Sequence, residues 1–170
     1  MSHIKVSWEE YFTLLEKLAR QVRAQYIPNQ IVCIATGGLI PGMVISKIFK
    51  APLAILAAES YPIGKSGTEA NKGEVVFARD LAKTRPGFGN RALLIDDLTD
   101  TGDTMAQGVE WIQRHYGSAL VTLKTATVWH KDRSIFKPDF FVEEILPLQD
   151  GEYPWIIQPV ERYENYEIEA

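Results

Sequence analysis

Apolar positions along this chain switch between helical spacing and short unbroken runs, and each switch marks an element. Trp8, Tyr11, Phe12, Leu15, Leu18, Ala19 and Val22 recur at helical spacing, and Ser7 with Glu10 three residues later forms a capping-box pattern. Together they predict an amphipathic helix that ends near Tyr26, before Pro28. Ile31 to Ala35 is a short apolar run, broken by Gly37-Gly38, and Pro41 suits the first turn of a helix reaching about Lys50. Pro52 to Ala58 reads as a second buried strand. From Glu59 to Pro86 the pattern weakens, and Gly64, Gly67, Asn71 and Gly73 predict a mobile loop with one strand-like interruption at Val75 to Ala78. Arg91 to Asp96 is again a strand. Met105, Val109, Ile112 and Tyr116 then line one face of a helix, and Ala119 to Trp129 and Phe140 to Ile145 are further strands. Strands alternating with helices predict a mainly parallel sheet covered on both faces, with ligands bound off the carboxyl ends of the strands.

The chemistry concentrates where the strand ending at Asp96 meets the next helix. Asp96 and Asp97 stand side by side at a strand end, and the loop Asp100-Thr101-Gly102-Asp103-Thr104 leads straight into a helix N-terminus. Paired carboxylates accept hydrogen bonds from vicinal hydroxyls or hold hydrated Mg²⁺ through oxygen. A loop of hydroxyls and backbone N–H groups at the positive end of a helix dipole suits a phosphate. Sugar hydroxyls beside a terminal phosphate describe a phosphorylated pentose.

The run Leu93 to Thr104, four apolar residues, two acids, two variable residues and Asp-Thr-Gly-x-Thr, resembles the phosphoribosyl diphosphate signature of the type I phosphoribosyltransferases without a gap. The resemblance extends over most of the chain and is greatest to the branch that uses xanthine, hypoxanthine and guanine. It implies a single α/β domain over residues 1–170. Its core, about 28–146, is a mainly parallel sheet of about five strands flanked by helices, and about 1–27 and 147–170 form a small hood. The reaction implied is transfer of the 5-phosphoribosyl group to a ring nitrogen of a 6-oxopurine, with release of pyrophosphate, as in purine salvage.

Residue by residue, the resemblance implies that Asp96 and Asp97 bind the ribose hydroxyls, directly or through Mg²⁺. Asp100, Thr101, Gly102, Asp103 and Thr104 cradle the 5-phosphate, and Asp100 faces purine N7 and manages its proton. Ala35-Thr36-Gly37-Gly38-Leu39-Ile40-Pro41 resembles the pyrophosphate loop, with Thr36, Gly37 and Gly38 nearest the leaving group and a cis peptide at Ala35–Thr36. Thr36 stands where relatives commonly carry Arg or Lys. Lys131 is placed to donate to a purine O6, Trp155 to stack on the base, and Ile156 to give backbone contacts. Val160 replaces an aromatic that relatives often have. Lys65, Lys72 and Arg79 are candidates to close over an anionic substrate. A homo-oligomer, dimer or tetramer, is implied, the aromatic-rich ends of the chain suiting such a contact.

Composition narrows the alternatives. The 18 basic and 22 acidic residues give a net charge of −4, so no basic excess points to nucleic acid or to an anionic membrane. Cys33 is the single cysteine and sits in an apolar run, which predicts a buried small hydrophobe rather than a disulfide. No apolar stretch approaches the length of a membrane span and no signal-peptide layout opens the chain, so a cytoplasmic protein is expected. His130 is expected to be structural, His115 to sit in the last turn of a helix, and His3 in a frayed end. Two other readings remain open at this level. Thr36 and Val160 would suit a non-catalytic nucleotide-sensing regulator on the same fold, and the acceptor could be another heterocyclic base. Asp100 could also be no more than a cap for the helix that starts near Asp103.

Overall fold

The computed structural model describes residues 2–60, 75–164 and 166. In chain order the elements are β1 (His3–Lys5), α1 (Trp8–Gln25), β2 (Gln30–Ala35), α2 (Leu39–Phe49), β3 (Leu53–Ser60), β4 (Val75–Phe77), β5 (Arg91–Ile95), β6 (Leu98–Thr99), α3 (Asp103–Tyr116), β7 (Thr122–Lys131), β8 (Phe140–Ile145) and β9 (Trp155–Ile157). Strands β3, β2, β5, β7 and β8 run parallel in that spatial order. β4 adds antiparallel to the outer edge of β3, and the two-residue β6 pairs with the end of β7. The hood expected from the two ends of the chain is a separate sheet in which β1 and β9 pair in parallel. His3 therefore lies in a paired strand, opposite Trp155, rather than in a frayed end.

Both faces of the sheet are covered, which is why its strands read as unbroken apolar runs. Ile31, Leu93, Ile95 and Ala126 pack with Leu18, Ala19 and Val22 of α1 and Ile45 of α2 on one face. Val32, Ile34, Leu56 and Leu94 pack with Met105, Trp111 and Ile112 of α3 on the other. Alternate residues of one strand thus serve two cores. Among the described residues no helix is long and apolar enough to cross a membrane.

The first helix begins as its capping box predicts: the Ser7 hydroxyl accepts from the Glu10 N–H, and Glu10 accepts from the Ser7 N–H at 2.8 Å. Its buried stripe is Tyr11, Leu14, Leu15, Leu18, Ala19 and Val22. Trp8 and Phe12, expected in that stripe, instead stack on each other at the surface with ring centroids 5.9 Å apart. Both lie in the first turns of α1 and on the edge of a stripe centred nearer Leu18 and Val22. On α3 the reverse holds: Trp111 is buried while Val109 and Tyr116 are only partly so. Cys33 is fully buried, and burial pushes its thiol up to about 11.

Candidate active site

The loops at the carboxyl ends of β2, β5 and β7 meet, as a parallel sheet requires of its binding crevice. After β5 the chain turns at Asp96-Asp97 into β6, and the two acids take different environments. Asp96 is buried and accepts from the Asp97 N–H at 2.9 Å. Desolvation first, and the adjacent Asp97 carboxylate second, raise its pKa well above the ordinary carboxylate range. Asp97 has one oxygen held by the Leu98 N–H at 2.7 Å, and its other oxygen accepts from the Gln158 side-chain amide.

Opposite stands the turn after β2. The Ala35–Thr36 peptide is cis. Gly38 donates its N–H to the Ile34 carbonyl at 2.8 Å, and Leu39 to the Thr36 carbonyl at 3.2 Å. Those two donors are therefore engaged within the turn. A Cβ on Gly37 would lie 2.5 Å from an Asp97 carboxylate oxygen, so the two loops touch only because this residue has no side chain.

Beyond β6, Gly102 caps α3 in the left-handed region at φ +91°. The first internal bond of the helix runs from Ala106 N–H to the Gly102 carbonyl at 3.0 Å, so the N–H groups of Asp103, Thr104 and Met105 project from its positive end. The turn after β7 packs on this loop: the Ile135 N–H donates to the Thr101 carbonyl at 2.8 Å. A Cβ on Gly102 would meet Ser134 Oγ at 2.4 Å and Phe136 N at 2.7 Å. Gly102→Ala is therefore expected to cost about 1–3 kcal/mol from the forbidden φ alone, read as a drop in Tm of several degrees.

Asp100 does not cap α3. One of its oxygens accepts from Lys131 Nζ at 2.9 Å, and the other takes the Arg133 guanidinium, including Nε at 2.9 Å. Burial pushes the Asp100 pKa up, but the hydrogen bonds from Lys131 and then Arg133 outweigh it and hold the carboxyl below its ordinary value. Tyr153 covers the two cations, its ring centroid 4.5 Å from the Arg133 guanidinium carbon and 5.8 Å from Lys131 Nζ.

Two adjoining cavities result. One, of about 210 Å³, is lined by Asp97, Leu98, Asp100, Lys131, Trp155 and Ile156 with Gln158 and Glu161. The other, of about 520 Å³, holds Thr36 and Gly37 and reaches Val160 and Tyr163. Asp97, Gln158 and Glu161 border both. The Asp97 carboxylate thus stands between a chamber with a lysine and an exposed indole and a chamber floored by the cis-peptide turn.

The profile of the phosphoribosyl transferase domain matches residues 7–165. The chain belongs to that family. It is 26% identical over 150 residues to the xanthine-guanine phosphoribosyltransferase of Idiomarina loihiensis, covering 88% of this chain and 84% of that one. The corresponding protein of Desulfotalea psychrophila is 28% identical over 155 residues, covering 91% and 83%. The crystal structure of a purine phosphoribosyltransferase from Pyrococcus horikoshii shares the fold at a TM-score of 0.74 and 23% identity, covering 100% and 99% of the two chains.

Of the residues singled out from the sequence, Asp97, Asp100, Lys131, Trp155 and Ile156 line the smaller cavity and Thr36 and Gly37 the larger, whereas Gly38, Asp96 and Thr101 to Thr104 line neither. Lys65 and Lys72 lie outside the described residues, and Arg79 is exposed beyond β4. His130 is buried and shares a 2.8 Å hydrogen bond with Thr99, a packing role. Arg133, Gln158, Tyr153 and Glu161 were not legible as site residues. Only the proximity of Arg133 to Lys131, and of Gln158 and Glu161 to Trp155, could have flagged them.

No group of three or more His, Cys, Asp or Glu among the described residues could by itself hold a metal. A carboxylate that lines an open crevice nevertheless fits Mg²⁺, an ion held by one or two carboxylates together with substrate phosphates and retained waters. Asp97, with Asp96 behind it, is the donor set present.

Proposed function

We propose that this chain transfers the 5-phosphoribosyl group from phosphoribosyl diphosphate to a ring nitrogen of a 6-oxopurine, releasing pyrophosphate, in purine salvage. The observation that carries this reading is the sharing of Asp97 between a cavity lined by Asp100, Lys131, Trp155 and Ile156 and a cavity lined by Thr36 and Gly37. The relatives named for xanthine and guanine support the purine acceptor.

Departure of pyrophosphate leaves positive charge on the ribose ring, so both ends of the donor must be held while the base nitrogen approaches C1. Asp97 accepts from the ribose hydroxyls, and Asp96 braces it from beneath. The N–H groups of residues 103–105 and the hydroxyls of Thr101 and Thr104 take the 5-phosphate. Mg²⁺, when bound with the donor, offsets diphosphate charge. Trp155 stacks on the base, Ile156 lines its edge, and Lys131 donates to O6. Lys131 is also a partner of Asp100 at 2.9 Å. A shift of that ammonium toward O6 takes one stabilising donor from Asp100 and makes the carboxylate more basic once a base is present.

The test is incubation with labelled phosphoribosyl diphosphate, Mg²⁺ and a panel of hypoxanthine, xanthine, guanine and uracil. A purine nucleotide product supports the reading. A product with uracil alone reassigns the acceptor, and binding without any product favours a nucleotide-sensing regulator. Thr36→Arg is expected to tighten pyrophosphate binding by about 1.5–3 kcal/mol through a charge-assisted contact, measured by product inhibition. Flat or weaker inhibition would remove Thr36 from the leaving-group site.

A further inference from the structure

We infer that Gln158 is a positioning residue that ties the indole of Trp155 to the carboxylate of Asp97, so that binding of the phosphoribosyl donor sets the base-stacking surface. The inference rests on the reading above and adds a coupling between its two halves.

Three hydrogen bonds make the connection. The Gln158 amide donates to Asp97 Oδ2 across 61 residues of sequence, its backbone N–H donates to Glu161 Oε1 at 3.3 Å, and the other Glu161 oxygen accepts from Trp155 Nε1 at 3.3 Å. Gln158 is only 8% exposed, so its amide is committed to this contact, whereas Trp155 is 50% exposed and has little packing to set its indole. The orientation of the stacking ring therefore depends on Glu161, and that of the Glu161 loop on Gln158. At the far end, Asp97 lines both cavities, with Oδ1 accepting from the Leu98 N–H and Oδ2 from the Gln158 amide. A carboxylate oxygen has two lone pairs, so Oδ2 can hold the Gln158 amide and a ribose hydroxyl together. A hydroxyl arriving there fixes the carboxylate, the amide bonded to it, and through Glu161 the plane on which the base will stack. Glutamine fits this duty because it donates to the carboxylate without carrying charge into a crevice that must accept phosphates.

The experiment compares wild type with Gln158→Ala and Gln158→Glu, and uses Trp155→Phe to identify the Trp155 component of the fluorescence. Donor binding is measured by calorimetry with phosphoribosyl diphosphate and Mg²⁺, and folding by thermal melting. In wild type the donor alone is expected to shift the Trp155 emission. In Gln158→Ala the donor Kd should stay within about threefold, the emission shift should vanish, and the base KM should rise about tenfold, near the low end for losing a hydrogen bond to a charged group. Gln158→Glu keeps the shape but cannot donate and places like charge against Asp97, so it should also weaken the donor; it serves if the alanine variant does not fold. A retained emission shift with a base KM within twofold of wild type overturns the coupling and leaves the proposed reaction standing. Failure of wild type to bind the donor overturns that reaction, and the coupling with it.

Discussion

Replacing Asp96 and Asp97 together by Asn is expected to abolish binding of phosphoribosyl diphosphate while the chain still folds. The substitutions keep the shape of both side chains, and an Asn oxygen at either position can still accept the backbone N–H bonds now made to Asp97 and Leu98 at 2.9 and 2.7 Å. What disappears is anionic acceptance toward the ribose hydroxyls. Two charge-assisted hydrogen bonds amount to about 3–6 kcal/mol, a loss of two to four orders of magnitude in affinity. The structure divides the effect between the acids. Asp97 faces both cavities, so Asp97→Asn alone should carry most of the loss. Asp96 is buried and has a raised pKa, so Asp96→Asn should act mainly through the position of its neighbour. Unchanged affinity of the double variant in calorimetry with Mg²⁺ would remove the pair from the ribose site.

Asp100→Asn should reduce turnover by about 10²–10⁴-fold, the range for loss of a general acid–base group, with a much smaller effect on donor binding. The N–H groups proposed to hold the 5-phosphate belong to the backbone after Gly102, whose position is set by its own φ and by the turn after β7. They should survive the substitution. A helix cap would tolerate Asn, but α3 is capped by Gly102 without any side-chain bond, so a cap does not explain Asp100. A turnover within threefold of wild type would leave Asp100 as no more than a counter-ion for Lys131 and Arg133. The pairing has its own signature in stability. Because the folded-state pKa of Asp100 is depressed, its contribution is present above the ordinary carboxylate pKa and is lost as pH falls through the native value. Asp100→Asn should therefore flatten the acid limb of the Tm-against-pH curve.

What could be read from residues alone was whatever is written locally. The capping box at Ser7 and Glu10, the apolar runs of β2 and β5, and the loop from Asp100 to Thr104 depend on neighbours within a few positions, and short-range sterics and hydrogen bonding settle them. The signature also points to its chemistry locally, since the adjacent acids, the strand end and the helix N-terminus all fall within one short run of residues. Tertiary structure decided the rest. Only packing could place Trp8 and Phe12 at the surface and Trp111 inside, because helical spacing defines a stripe but not the angle at which the sheet meets it. Strands as short as β1, β6 and β9 are defined by their partners and leave no period to detect. The division of labour between Asp96 and Asp97 is set by burial, which two identical adjacent letters cannot express. The grip of Lys131 and Arg133 on Asp100, and of Gln158 on Asp97, spans 31, 33 and 61 residues, distances over which sequence carries no geometric information until the sheet brings its strand ends together.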